Sequence, residues 1–257
     1  MLTKYILALL VILLATQANI ANSAENKTLT MCVTHFPPYQ IILPDKAPIG
    51  ENIAATTYFF NKLGFTIHFT QNNSFWRCLG MLKAGKVDIM SGLLDAPARR
   101  KFSHLFVYGS LDKKSFYVKK NGPNINEFSD LKGLKVAVLK GVKQFKQFDN
   151  APNGYFEKVY VNDMSAAFRV LAAGKVDVVI STDFNDLENY KKNMTQEFKE
   201  FTVNLDGTSL LFIALSKTSK VAHLAPKLTD LSEKMYKNNE FYKVISDFKI
   251  KHPTYYH

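Results

Sequence analysis

Cysteine is nearly absent: two in 257 residues, too few for a disulfide-built scaffold or a Cys-rich zinc site. Histidine is scarce too. His35, His68, His104, His223, His252 and His257 show neither HxH nor HxxxH spacing and no cysteine partner, so no metal centre is expected. Of 33 basic residues only Arg77, Arg99, Arg100 and Arg169 are arginines. Nucleic-acid readers lean on the planar fork of arginine for bidentate contacts. Here lysines lie dispersed among acids in short runs. The net charge of +11 therefore reads as a solvated basic surface, and no nucleic acid is expected as a partner. Glycine stands at 12, and no P-loop, GxSxG elbow or dinucleotide fingerprint occurs. Ser, His and Asp form no ordered constellation. The expectation is a protein that needs no cofactor and is not an enzyme.

What is present is an ordinary globular composition, 47% apolar and 21% charged, enough to bury a core. At the N-terminus, Lys4 precedes an apolar run over residues 5–15, and small residues follow, with Ala21 and Ser23 in a −3/−1 pattern. Residues 1–24 therefore read as a secretory signal peptide cleaved near Ser23 or Ala24. The run is short for a bilayer span; an uncleaved N-terminal anchor is the alternative. No later stretch is long and apolar enough to span.

The chain also resembles itself. MLKAGKVDIMSG at 81–92 matches VLAAGKVDVVIS at 170–181. Leu82/Leu171, Ala84/Ala173, Gly85/Gly174, Lys86/Lys175, Val87/Val176 and Asp88/Asp177 share one offset, and Ser91/Ser181 falls one place off. Each copy follows an apolar-periodic helix, which the glycine ends by taking the left-handed conformation cheaply. Each precedes a short apolar run that reads as a buried parallel strand. Strands at 28–34 and 134–139 open the two units. The expectation is an α/β protein of two lobes built alike. Their strands 87–91 and 176–180 should be parallel neighbours of the opening strands. The chain should cross between lobes only around 110–115 and 205–210; one continuous sheet through both halves would sink the two-lobed reading and the repeat argument with it. The amphipathic end, split near Lys237–Asn239, should cover the core of lobe one. In such sheets ligands bind beyond the C-terminal strand ends, here the cleft between lobes.

The ordered pieces resemble a known family, the bacterial extracellular solute-binding proteins of family 3, the polar-amino-acid type. They are the signal peptide, the FPPY loop at 36–39, Gly50, FWRCLGMLKAGKVDIMSG at 75–92, ARRKFSHLF at 98–106, DLKGLKVAVLKG at 130–141 and LAAGKVDVVIS at 171–181. The resemblance implies a two-lobed periplasmic-binding-protein type II fold, each lobe a mainly parallel sheet flanked by helices. Residues 25–112 and 208–257 would form lobe 1 and residues 113–207 lobe 2. It also implies a monomer in the periplasm that passes a small polar solute to the membrane permease of an ABC transporter.

The family's clamp for a ligand carboxylate is an arginine. Counted without gaps from Asp88, it falls on Arg100, with Arg99 as its structural neighbour. The hydroxyl positions of the preceding loop are Leu93, Asp95 and Pro97 instead. Lys143 stands where a hydroxyl often follows the second Gly turn. Thr182 stands at the acid position ending the second strand, with Asp183 one residue late. The amino-acid recipe is thus half present, and a small carboxylate-bearing, amino-acid-like solute is expected. Phe36 and Tyr39 flank the proline pair at a strand end and suit an aromatic wall, or packing against the terminal helices. Trp76, the one tryptophan, lines the cleft or staples a helix start. Asp95 takes a ligand donor or caps a turn; Glu51 reaches the cleft; Arg77 makes a structural ion pair. A cleft enzyme of the dehydratase kind, with Asp95 or Glu51 as acid/base, and a periplasmic sensory receptor are the alternatives. Export to an oxidising compartment also leads to a disulfide between Cys32 and Cys78, the alternative being two buried thiols.

Overall fold

The computed structural model describes residues 27–181 and 197–256. The expectations placed on residues 1–24, Thr182 and Asp183 lie outside them. Among the described residues no helix is long and apolar enough to cross a membrane.

The first half runs β1 (Thr28–Val33), α1 (Glu51–Asn61), β2 (Thr66–Asn72), α2 (Phe75–Lys83), β3 (Ile89–Leu94) and the short α3 (Pro97–Arg100). The long β4 (Ser103–Lys119) leaves it. The second half holds β5 (Lys135–Leu139), α4 (Lys146–Asp149), β6 (Glu157–Val161), α5 (Met164–Ala172) and β7 (Val178–Ser181). The equally long β8 (Phe198–Ser216) returns, and α6 (Ala225–Lys237) and α7 (Glu240–Lys251) follow.

Hydrogen bonding runs without a break through all eight strands, in the order β2-β1-β3-β8-β4-β7-β5-β6. That corrects the expectation of two sheets joined only by crossing segments, and the single-sheet criterion for rejecting two lobes and the repeat fails with it, because one long ribbon belongs to both halves. The registers show how two lobes survive the continuity. β4 and β8 form one antiparallel ribbon from Ser103↔Ser216 to Lys119↔Phe198. β3 pairs with the C-terminal half of β8, Ile89↔Leu215 to Leu94↔Leu211. β7 pairs with the C-terminal half of β4, Ser115↔Ser181 to Tyr117↔Val179. Each crossing strand thus gives one half to each lobe. Beyond them β1 lies parallel to β2 and β3, and β5 lies parallel to β6 and β7. Between the lobes the ribbon register breaks, from Leu111↔Ser209 to Lys113↔Asn204, so residues 205–208 of β8 face a single residue of β4.

The two copies of the repeat do the same structural work. Gly85 and Gly174 take φ of 67° and 66°, ending α2 and α5 in the left-handed conformation that costs a glycine little. Three residues on, the Asp88 carboxylate accepts from the Thr30 N–H at 2.8 Å, and that of Asp177 accepts from the Lys135 N–H at 2.8 Å. Each aspartate therefore satisfies a backbone donor of its lobe's opening strand, a group costly to leave unpaired.

The apolar residues collect on either side of the ribbon. In lobe one, Leu29, Met31 and Ile89 pack with Phe59, Phe60, Phe106, Tyr108 and, from the terminal helices, Leu228, Met235 and Phe241. In lobe two, Val136, Val138, Val178 and Ile180 meet Phe145, Phe148 and Phe156 on one face. Ala137 and Val179 meet Phe168 and Leu171 of α5 on the other. Cys32 and Cys78 are joined, with Cα atoms 5.5 Å apart, tying β1 to α2.

Candidate functional site

At the C-terminal ends of β1, β3, β5 and β7, beside the ribbon, the lobes enclose a cavity of about 90 Å³. Lobe one contributes Thr34, Phe36, Tyr39, Gln40, Asn52, Phe75, Ser91, Gly92, Leu94 and Tyr108. Leu139, Val142, Lys143, Gln144, Ile180 and Ser181 come from lobe two, and Leu111, Lys114 and Leu211 from the ribbon. Ser91 and Ser181, the pair ending the repeat, thus face the same space from opposite lobes. The walls are mostly apolar. Phe36 and Tyr39 stack, centroids 5.5 Å apart.

Polar groups at the wall fall into two sorts. Some are already fixed: the Tyr108 hydroxyl donates to Asn52 Oδ1 at 2.6 Å, and burial pushes that phenol far above its ordinary range. Others await a partner. Ser91 is 1% exposed, and its Oγ has no hydrogen-bond partner among the described residues. Lys114, 4% exposed, is buried within the ribbon. Burial pulls its pKa down to about 8, against the opposing field of Asp149. Among the described residues no Asp or Glu lines the cavity. A wider hollow of about 660 Å³ shares Tyr39, Asn52, Tyr108, Leu111 and Leu211 and opens toward Glu51, Lys113 and Lys249. We place the site in the smaller cavity, because it takes walls from both lobes and holds the partnerless Ser91 hydroxyl.

The two adjacent arginines of α3 part company. Arg100 is half exposed and holds Asp95 in a fork, Nε–Oδ1 2.8 Å and Nη2–Oδ2 2.7 Å. Neither lines the cavity. Arg99 is 3% exposed. It donates to the Leu94 carbonyl of its own lobe and, at 2.9 Å, to the Gly141 carbonyl of the other, with Phe75 beside its guanidinium at 5.8 Å. Burial lowers its pKa to about 10, opposed by Asp149 and Asp95, so it stays charged at neutral pH.

Of the other residues singled out in the sequence, Phe36, Tyr39 and Lys143 line the cavity. Lys143 also lies 4.0 Å from Asp149. Leu93 does not: it is buried beside Cys32 and Cys78, and its neighbour Leu94 takes the wall. Trp76, 51% exposed, lies at the seam instead. A Cβ on Gly141, at φ 83°, would stand 2.8 Å from the indole, and Lys140 sits 5.1 Å over the ring. Glu51 is turned away from the cavity, accepting from the Tyr256 hydroxyl at 2.9 Å with Lys249 at 3.4 Å. Lys114, Ser91, Asn52 and Gln144 line the cavity without being singled out by the sequence as site residues. The repeat pair Ser91/Ser181 was the one available signal.

Two lobes closing on a cavity at their strand ends define the class: a cleft-type, two-lobed solute-binding fold. The chain belongs to the bacterial extracellular solute-binding proteins, family 3, whose model matches residues 29–245. It is 27% identical over 169 residues to a protein of Campylobacter jejuni named "Probable histidine-binding protein". That match covers 65% of this chain and 64% of the relative, so it spans just under two thirds of the relative's length. Among solved structures, an ancestral arginine-binding protein bound to arginine matches with TM-score 0.68 and 23% identity, over 90% of this chain and 99% of that one. An ancestral amino-acid-binding protein, a precursor of cyclohexadienyl dehydratase, matches with TM-score 0.65 and 18% identity, over 90% and 98%. At these identities the solved structures speak for the fold.

Proposed function

We propose that the protein captures a small, carboxylate-bearing, amino-acid-like solute by closure of two lobes, residues 25–112 with 208–257 and residues 113–207, and presents the closed form to the membrane permease of an ABC transporter. In this reading it works as a monomer in the periplasm, exported by a signal peptide over residues 1–24. The observation that carries it is the cavity itself: walls from both lobes and the ribbon, with the buried Ser91 hydroxyl unpartnered between them. Buried polar groups are almost always paired, so an unpaired one facing a cavity suits a bound solute. The kinship to the family and the name of the Campylobacter relative point the same way.

Binding is favoured over catalysis by the carboxylates. Asp95 is committed to Arg100 and Glu51 to Tyr256 and Lys249, which leaves neither in the cavity as an acid or base. Thermal-shift screening of residues 25–257 against amino acids, polyamines, organic acids and sugars tests the reading. A bound solute raises Tm by mass action, and small-angle scattering should show a more compact protein with it. Chemical conversion of the solute during incubation, or no Tm rise with any compound, overturns it.

A further inference from the structure

We infer that the ammonium group of Lys114, carried on the crossing strand β4, is the anchor for the solute's carboxylate, an inference that rests on the solute-binding reading. Three observations carry it. The side chain is buried, lines the cavity and makes no hydrogen bond or ion pair with any described residue. A buried ammonium without a partner is costly, and a ligand carboxylate is the group that removes the cost. The arginine that would otherwise serve is spent, since Arg99 gives its donors to the carbonyls of Leu94 and Gly141, while Arg100 is outside with Asp95. Finally, Lys114 follows directly on the register break between Leu111 and Lys113. An anion held there touches the joint itself rather than one lobe.

The other titratable groups facing this space are Tyr39 and Tyr108 of lobe one and Lys143 of lobe two. Asp149 of α4 is the acid whose field reaches Lys114, and Lys143 and the Gln144 N–H hold that carboxylate at 4.0 and 3.1 Å. With Asp149 thus engaged and no described acid on the wall, the site favours a carboxylate over an amine. Because burial depresses the lysine to about pKa 8 in the empty protein, carboxylate binding takes up a proton above that pH. Affinity should then fall about 30-fold between pH 7 and 9.5.

Calorimetric titration decides the matter with two probe sets: L-alanine, propionate and ethylamine; L-phenylalanine, 3-phenylpropionate and phenethylamine. The carboxylates should bind and the amines should not, with propionate and 3-phenylpropionate showing the pH dependence. Lys114→Met should lose affinity for them by about 30-fold or more and lose the pH dependence, while keeping its circular dichroism and an equal or higher Tm. Lys199→Met, on the exposed part of the same ribbon, should bind as wild type. Amines binding in place of carboxylates, or Lys114→Met retaining affinity within about threefold, overturns the anchor. A solute of another class found in the broader screen, bound fully by Lys114→Met, overturns the anchor and leaves solute binding standing. Silence in both screens overturns both.

Discussion

Lobe one and lobe two carry the same unit, a helix ended by Gly, a turn and a strand whose aspartate secures the opening strand, and they secure it to different degrees. In lobe two Asp177 accepts from the Lys135 N–H alone among the described residues. In lobe one Asp88 also accepts from the Ser219 hydroxyl, at 2.6 Å, and Cys32–Cys78 staples β1 to α2. Lobe two has no such staple and relies on a knot of rings, Phe128, Phe145, Phe148, Tyr155 and Phe156, with Phe148 and Phe156 stacked at 4.5 Å. A repeated framework thus leaves each copy free to find its own means of holding together. The difference follows from chain order. Lobe one is assembled from two distant stretches of sequence, and its added ties act within the first stretch and between the two.

Four measurements test how differently the two lobes are held. The largest effect should come from the staple. Replacing Cys32 and Cys78 together by Ala should cost roughly 2–4 kcal/mol in urea unfolding. Hydrogen exchange should quicken in β1 and α2 while β5–β7 keep their protection; equal loosening of both lobes would deny that the staple is local. Next comes the joint. Lys114 has an ordinary pKa of 10.5 unfolded and about 8 folded, so below pH 8 its burial costs wild type roughly 3 kcal/mol. As pH rises from 8 to 10.5 the folded lysine sheds its proton and the cost fades. Lys114→Met should therefore be the more stable protein at pH 7, with the gap closing by about pH 10.5. Third, Arg99→Ala should cost roughly 2 kcal/mol, since it leaves the part-buried carbonyls of Leu94 and Gly141 short of donors, and should weaken closure measured by scattering. Arg100→Ala, losing an exposed pair, should cost less than about 0.5 kcal/mol. The reverse order would show that Arg100 is the one acting at the cleft. The smallest contrast is within the aspartate pair: Asp88→Ala should cost about 2 kcal/mol and Asp177→Ala about 1 kcal/mol, and equal losses would mean that the Ser219 contact adds nothing.

Much of the architecture was legible because it rests on periodicity and on glycine. GKVD announced both units, the opening segments at 28–34 and 134–139 are strand over Thr28–Val33 and Lys135–Leu139, and the terminal helices divide at Asn238 and Asn239. The site was legible less evenly, and one physical cause accounts for part of the shortfall. Between Met90 and Leu93 the pairing of β3 with β8 slips, Met90↔Ala214 being followed by Leu93↔Phe212. That is one extra residue on β3, and a one-residue slip turns each following side chain to the opposite face. An ungapped count from Asp88 runs through this bulge. It selects Leu93 where Leu94 meets the cavity; the exchange of Arg100 for Arg99 runs in the opposite direction, and the bulge does not explain it. Lys114 was hidden for a different reason. It is one of two adjacent lysines in a polar-looking stretch, and only the pairing of β4 with both β7 and β8 shows that stretch to be interior.

The way β4 and β8 share their halves also sets the order in which the molecule can be completed as it is made. Delivered from its N-terminus, the chain presents β1, β2 and β3 first, but the partner strand of β3 is residues 211–215 of β8, and the core of lobe one waits for Leu228, Met235 and Phe241. β5, β6 and β7 need only β4, already made, and the first part of β8. The second lobe can therefore be completed with less of the chain than the first, although its sequence comes later. In the interval the early strands carry an unpaired β3 edge, the kind of exposed template on which nascent chains aggregate. Truncation from the C-terminus should thus damage the lobe that begins the chain.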